Sequence, residues 1–230
     1  KTTLVEKDKY AYKHFVSDQI PIPEVFKIGK FDEQHYFCIT EAKPGKTIDK
    51  WDKATQKKLY LELYEILDAI HAIKLSPGKY GWWEAEGIAT FDSWRAYLLY
   101  KINDPYAKFE ELYKSTFLER KLIENAYHKI KELMLYLPEE RDLIHGDSGS
   151  NNALSDGEKI TGVIDWGNSC FGDYLYDIAY MQFWQENPTE FYKGVKEHQE
   201  EHGKNVEYYE KRIICYMLHI GIGAVEFWAR

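Results

Sequence analysis

Apolar and polar positions along this chain change period several times, and each change marks an element. Residues 6–16 (EKDKYAYKHFV) read as a helix, with Tyr12 and Phe15 among the apolar positions on one face. Pro21 and Pro23 end that pattern and begin an extended stretch. Runs over 24–30 and 35–41 predict two strands, joined by a polar turn at Asp32-Glu33. Lys43-Pro44-Gly45 is a connector. Helical spacing returns over 52–73, where Leu59, Leu63, Ile66, Leu67 and Ile70 form one buried stripe. A loop rich in Gly and Trp, 76–88, leads to helices near 91–102 and 108–136, with Pro138 as the stop. Apolar runs at 152–154 and 160–164 flank Ser155-Asp156-Gly157, a hairpin signal. Past Asp173 the pattern predicts helices over about 174–186, 189–201 and 205–229.

That order is a helix and two strands, then helices with one embedded hairpin. It predicts an α+β chain in which a small lobe, 1–43, is hinged to a larger, mainly helical lobe, 44–230. Composition fits a globular protein: 44% apolar and 30% charged. No apolar run approaches the roughly 20 residues that span a bilayer, so no membrane partner is expected. The net charge of −8 disfavours nucleic acid and favours a cationic small molecule, because negative clefts concentrate positive ligands. Cys38, Cys170 and Cys215 are scattered and odd in number, which suits a reducing cytoplasm. A monomer is expected.

The candidate chemistry lies in His145-Gly146-Asp147-Ser148-Gly149-Ser150-Asn151-Asn152, followed by Val163-Ile164-Asp165-Trp166-Gly167. Protein kinases run H-R-D-x-x-x-x-N and then D-F-G. The Asp-to-Asn step is the same here, from Asp147 to Asn152, and Asp165 follows with a glycine two positions on. Asp147 is the candidate base for a substrate hydroxyl. Asn152 and Asp165 supply the oxygens that magnesium prefers. Asp165 ends an apolar strand, and Gly167 is expected to let the backbone turn sharply there. His145 is expected to pack and hydrogen-bond within the loop. Asp173 looks like a helix N-cap, and Asp177, one turn on, is placed to brace the catalytic loop. The pair His198 and His202 has zinc-ligand spacing, but Gln199 stands where a zincin needs Glu, and a solvated face is the better reading. Aromatic content is high, at 16%, and most rings are expected in the core. Trp82, Trp83 and Trp184 are candidates to line a sugar or cation site.

These segments resemble the aminoglycoside phosphotransferases, which have a protein-kinase-like fold. The likeness rests on 6–15 (EKDKYAYKHF), on Pro21-Ile22-Pro23-Glu24-Val25, and on HGDSGSNNALSDGEKITGVIDW followed by FGDYLYDIA. It is loose over 76–140. The resemblance implies transfer of phosphate from ATP or GTP to a hydroxyl of a cationic aminocyclitol antibiotic, with Mg2+ as cofactor. It gives Asp147, Asn152 and Asp165 the roles already read from their chemistry. It places Asp8 as the acid of the small-lobe helix that pairs with a phosphate-binding lysine. It puts adenine against the backbone of Glu41 and Lys43, with Thr40 at the rear of the pocket, and makes Asn151 and Trp184 substrate contacts. It also implies that the phosphate-covering loop and the lysine strand lie before residue 1, so the small lobe is truncated at its N-terminus. Two other readings stay open: a kinase of choline or another small metabolite, and a nucleotide-binding pseudokinase.

Overall fold

The computed structural model describes residues 4–32, 35–185, 194–195, 197–198 and 206–228. Helix α1 (Leu4–Phe15) buries Lys7, Ala11 and Phe15, which recur at helical spacing. The stripe facing the core therefore carries a lysine, and Tyr12 sits beside it, half-buried. Strands β1 (Val25–Lys30) and β2 (Tyr36–Thr40) pair antiparallel, with an irregularity between Val25 and Lys27. At the turn after β1, Asp32 accepts a hydrogen bond from the His35 N–H (2.8 Å). Glu33, the other half of the expected turn, lies outside the described residues.

Past Pro44 and Gly45, a short strand β3 (Lys46–Thr47) pairs with β7 (Ala153–Ser155), which pairs in turn with β8 (Ile160–Val163). The β7–β8 turn is the predicted hairpin, with Gly157 at φ +97° and the Asp156 carboxylate accepting from the N–H groups of Glu158 and Lys159. Helix α2 (Lys53–His71) starts where Asp52 accepts hydrogen bonds from the Ala54 and Thr55 N–H groups. Its buried face contains all five residues of the predicted stripe, plus Tyr64.

The segment expected as a Gly- and Trp-rich loop holds two strands, β4 (Tyr80–Trp83) and β5 (Ala89–Phe91). They join β6 (Asp142–Ile144) and β9 (Cys170–Gly172) in one sheet, in the order β5-β4-β9-β6. β5 is the local partner of β4, but β9 lies far along the chain, so no local pattern announces it. The two helices expected near 91–102 and 108–136 divide elsewhere. Helix α3 (Trp94–Ser115) runs unbroken through Pro105, and α4 (Arg120–Leu133) follows. Ile102 and Phe109 are both buried on α3, and two buried apolar side chains offset the cost of about 3 kcal/mol for an interior proline. A single turn, 134–136, then leads to Pro138, the expected stop.

Helix α5 (Leu175–Phe183) and helix α6 (Tyr209–Trp228) close the large lobe, and α6 packs on α3, α4 and α5. Most of the helix expected over 189–201 lies outside the described residues. Asp173 is fully buried and stands one residue before the N-cap of α5, which is Tyr174, so the expected cap acts as a cross-link instead. It accepts from the Leu175 N–H (3.0 Å), from Arg212 at both oxygens (2.7 and 3.0 Å) and from the Tyr216 hydroxyl (2.5 Å). The Trp94 indole donates to that same hydroxyl (3.0 Å), so one buried carboxylate ties α3, α5 and α6 together.

Candidate active site

The loop after β6 is built around a buried carboxylate. Asp177, fully buried on α5, accepts from the His145 N–H (2.9 Å) and the Gly146 N–H (2.8 Å), and sits 3.0 Å from His71 Nε2. The Ser148 hydroxyl donates to the Asp177 carbonyl (3.1 Å). Burial alone would raise the Asp177 pKa. The hydrogen bond and charge of His71, with His145 and the Gly146 N–H, outweigh it and hold the carboxyl below its usual range. The side chain expected to brace this loop is therefore hydrogen-bonded to it at successive residues.

Gly146 is at φ +79°, and a Cβ there would lie 2.2 Å from the Asn168 carbonyl oxygen. Only glycine combines that conformation with so close an approach. His145 is buried, as expected of a packing residue, and its Nε2 lies 3.1 Å from the Ile164 carbonyl. Asn152 donates from Nδ2 to the Asp147 carbonyl (2.8 Å), and its Oδ1 accepts from Asn151 (3.2 Å). The Ile164 N–H returns to the Asn152 carbonyl (2.9 Å). Loop 145–152 and the strand leading to Asp165 are thus stitched together at both ends.

Asp165 itself adopts the left-handed conformation, φ 62° and ψ 63°. The sharp turn expected of Gly167 is made two residues earlier, by the candidate ligand. Gly167 is small for a different reason: a Cβ would lie 3.1 Å from Leu4 Cβ and 3.2 Å from Asp165 Oδ1. A single turn of 3-10 helix, 166–168, follows. The Trp166 N–H donates to Asp8 Oδ1 (2.8 Å), Trp82 Nε1 donates to the Gly167 carbonyl (2.8 Å), and Lys7 Nζ donates to the Ser169 carbonyl (2.6 Å). Burial pushes the Asp8 carboxyl up to about 6; the Trp166 N–H opposes that and the Asp165 charge adds to it.

Asp147 and Asp165 both lie within electrostatic reach of Tyr180. Burial raises the Tyr180 phenol pKa, the hydrogen bond and charge of Asp147 raise it further, and Asp165 adds in the same direction. Asn168 Nδ2 lies 3.4 Å from Asp147 Oδ2, linking the segment after Asp165 to the Asp147 carboxylate. Trp184, 48% exposed, lies beside Tyr180 with ring centroids 6.3 Å apart, and Asn151 is exposed on the loop. Tyr180 and Asn168 are additions that no motif announces. Tyr180 is one helical turn past Asp177 and one before Trp184, a spacing that could have singled it out.

The other anticipated residues fall as follows. Glu41 donates its N–H to the Glu24 carbonyl (2.8 Å), which ties the residue after β2 back to the residue before β1. Lys43 Nζ pairs with Glu41 Oε1 (2.8 Å), and its side chain lies over Gly162. Thr40 is exposed rather than enclosed at the rear of a pocket. It shares a strand face with Cys38, whose thiol pKa is raised by burial and by Asp8. Trp83 is fully buried and Trp82 partly so, and their rings face an internal side chain rather than an open site: Lys7 Nζ lies 4.3 and 4.5 Å from them. His198 sits 3.3 Å from Asp68, while 199–202 lie outside the described residues.

The donor set suits a hard cation. Asn152 offers an amide oxygen and Asp165 a carboxylate, and no group of three or more His, Cys, Asp or Glu that could hold a metal occurs among the described residues. Such a site resembles those in which magnesium takes one or two protein oxygens and fills its shell from phosphates and water. Asp147, whose carboxylate is reached by Asn168 Nδ2, is a group that can accept a proton.

The pattern of the phosphotransferase enzyme family matches residues 3–211. Hygromycin-B 4-O-kinase of Escherichia coli is 34% identical over 226 residues, which is 94% of this chain and 62% of that protein. Aminoglycoside 3'-phosphotransferase of Enterococcus faecalis is 26% identical over 181 residues, 76% of this chain and 62% of that one. The chain thus spans about three-fifths of the length of the curated relatives it matches. The crystal structure of aminoglycoside phosphotransferase APH(4)-Ia superposes with a TM-score of 0.80 at 30% identity, covering 97% of this chain and 75% of that one. A thermostable mutant of the same protein, in a ternary complex with AMP-PNP and hygromycin B, gives 0.79 at 31% identity over 97% and 75% of the two chains. The fold is accordingly the protein-kinase-like one of these enzymes. No described helix is long and apolar enough to cross a membrane.

Proposed function

The chain belongs to the phosphotransferase enzyme family, and we propose that it moves the γ-phosphate of ATP or GTP to a hydroxyl of a cationic aminocyclitol antibiotic of the hygromycin B type. The observation that carries this reading is the joint placement of three groups. Asn152 is hydrogen-bonded to the backbone of Asp147, the Ile164 N–H just before Asp165 returns to the Asn152 carbonyl, and Asn168, just past Asp165, reaches the Asp147 carboxylate. Asp147 orients the substrate hydroxyl and takes its proton as the oxygen attacks. Asn152 and Asp165 present oxygens to magnesium, which when bound neutralises charge on the nucleotide phosphates. Asp177 and His145 keep the loop in its working shape, and Asp173 anchors the start of α5.

Residues 1–43 contribute the nucleotide-facing part, with the Glu41 carbonyl and the Lys43 N–H toward adenine, Thr40 beside them, and Asp8 next to the Asp165 turn. Residues 44–230 carry the chemistry and the antibiotic. Asn151 and Trp184, both exposed, are the substrate contacts in this reading. The net charge of −8 favours a polycation. Three cysteines outside any disulfide suit a reducing cytoplasm.

The test is nucleotide turnover by the purified chain against a panel. ADP or GDP release stimulated by hygromycin B, with phosphate found on the antibiotic, is the expected result. Release stimulated by choline instead would move the activity to a metabolite kinase. Nucleotide binding with no release on any hydroxyl would make the protein a non-catalytic binder.

A further inference from the structure

We propose that Lys7 is the positioning residue that fixes Asp165 in its left-handed conformation; this rests on the reading of Asp165 as a magnesium ligand. Lys7 lies on the buried stripe of α1 with Ala11 and Phe15 and has no exposed surface. Its Nζ reaches a carbonyl 162 residues away, that of Ser169, at 2.6 Å. Its neighbour Asp8 accepts from the Trp166 N–H at 2.8 Å. Two consecutive side chains of one helix therefore grip the two ends of the single turn 166–168. The carboxylate meets the N–H end and the amine meets the carbonyl end, the polarity that helix termini favour. The Trp82 indole holds the middle of the turn at Gly167, and the Ser169 hydroxyl closes it onto the Trp166 carbonyl (2.5 Å).

The residue immediately before this turn is Asp165. A non-glycine residue stays left-handed only where its surroundings over-determine it. The grip on 166–169 is that over-determination. A site walled by Trp82 and Trp83 would pack an apolar side chain more readily, because a buried amine is costly unless hydrogen-bonded. The only hydrogen bond that Nζ makes among the described residues is the one to Ser169, so the lysine is explained by what it holds. An amine donates in either protonation state, so the grip does not depend on its charge.

The experiment measures the magnesium concentration that half-saturates binding of a fluorescent ATP analogue to the full chain, alongside the analogue's affinity without metal. Lys7→Met keeps the packing and removes the donor. It should raise the magnesium half-saturation about tenfold and leave metal-free affinity unchanged. Lys7→Arg, which restores a donor, should recover most of that shift. In an Asp165→Ala background, Lys7→Met should add nothing further, because coupled residues are not additive. Should Lys7→Met fail to fold, Trp82→Phe removes a separate tie to the same turn and should shift the half-saturation about threefold in the same direction. A shift with Asp165→Ala but none with Lys7→Met or Trp82→Phe overturns the role of Lys7 and leaves the functional reading standing. So does a Lys7→Met shift that simply adds to that of Asp165→Ala. No shift with Asp165→Ala overturns the functional reading, and this inference with it.

Discussion

The two loops that face the cleft are held in opposite ways. Loop 145–152 is braced from inside the large lobe by Asp177, a carboxylate with no exposed surface, and by His71 behind it. The turn after Asp165 is held largely from outside that lobe, by Lys7 and Asp8 of α1, with Trp82 of β4 adding a tie from within it. The geometry of the candidate base is thus internal to one lobe. That of the candidate metal acid depends on where α1 sits. Anything that shifts α1 reaches Asp165 first and Asp147 second.

The sharpest way to separate the two loops is by what each loses. Asp147→Ala removes the proton acceptor and leaves both braces intact. Turnover should fall about 10²–10⁴-fold, with nucleotide affinity nearly unchanged in a binding titration. Near-normal turnover would remove Asp147 from the chemistry. Asp177→Ala acts on the brace instead. It strands the buried N–H groups of His145 and Gly146 and leaves His71 without its partner. Breaking a buried charged contact of this kind costs about 3–5 kcal/mol. Urea unfolding should show a loss of that order, and a loss below about 1 kcal/mol would mean that the loop is held by something else.

How much of this contrast could be read from residue order differs between the loops. The His145–Asn152 motif, the stripe of α2 and the β7–β8 hairpin are local patterns, and each appears where its periodicity or turn residues place it. Asp177 was legible as a brace because it lies one turn into a helix that follows the motif closely. The outside brace was not legible. Lys7 sits in EKDKYAYK, a run that reads as a solvated charged face, and its partner is 162 residues away. The sheet β5-β4-β9-β6 is hidden in part for the same reason: its strands are three or four residues long, and β9 joins β4 and β6 from farther along the chain. Arg212 and Tyr216 meet Asp173 only through tertiary packing. Short-period signals announce elements and motifs; they carry no information about which distant side chain completes a site.

The outside brace should also give itself away through pH. Burial pushes Asp8 up from 3.8 to about 6, and burial lowers Lys7 from 10.5 to about 7 against the raising charges of Cys170, Glu84 and Asp8. For Asp8 the folded pKa is raised, so its contribution is fully present below about 4 and is lost as pH rises through 6. For Lys7 the folded pKa is depressed, so the unfolded chain binds more protons between 7 and 10.5 and stability rises with pH there. Adjacent residues thus give limbs of opposite slope, each on the order of a few kcal/mol, with the pair least favourable between pH 6 and 7. Urea midpoints taken across pH should show the acid limb flattened in Asp8→Asn and the alkaline limb flattened in Lys7→Met. If either variant keeps the slope of the unaltered chain, that side chain is not titrating in a buried site.

The smallest expected effects bear on where each loop stores its unusual backbone. In loop 145–152 the positive φ belongs to a glycine, Gly146; in the metal segment it belongs to Asp165. Gly146→Ala would drive a Cβ to within 2.2 Å of the Asn168 carbonyl oxygen, and backbone cannot yield as a flexible side chain can. A loss of about 1–3 kcal/mol is expected. Asp165→Gly should do the reverse, because a left-handed non-glycine residue costs roughly 1–2 kcal/mol that glycine does not incur. The thermal midpoint should rise while magnesium-dependent nucleotide binding disappears. A chain made more stable by losing its metal acid would show that Asp165 is kept for its oxygens, against the preference of the backbone that carries it. A fall in stability would place the strain elsewhere and make α1's hold on the turn a packing contact like any other.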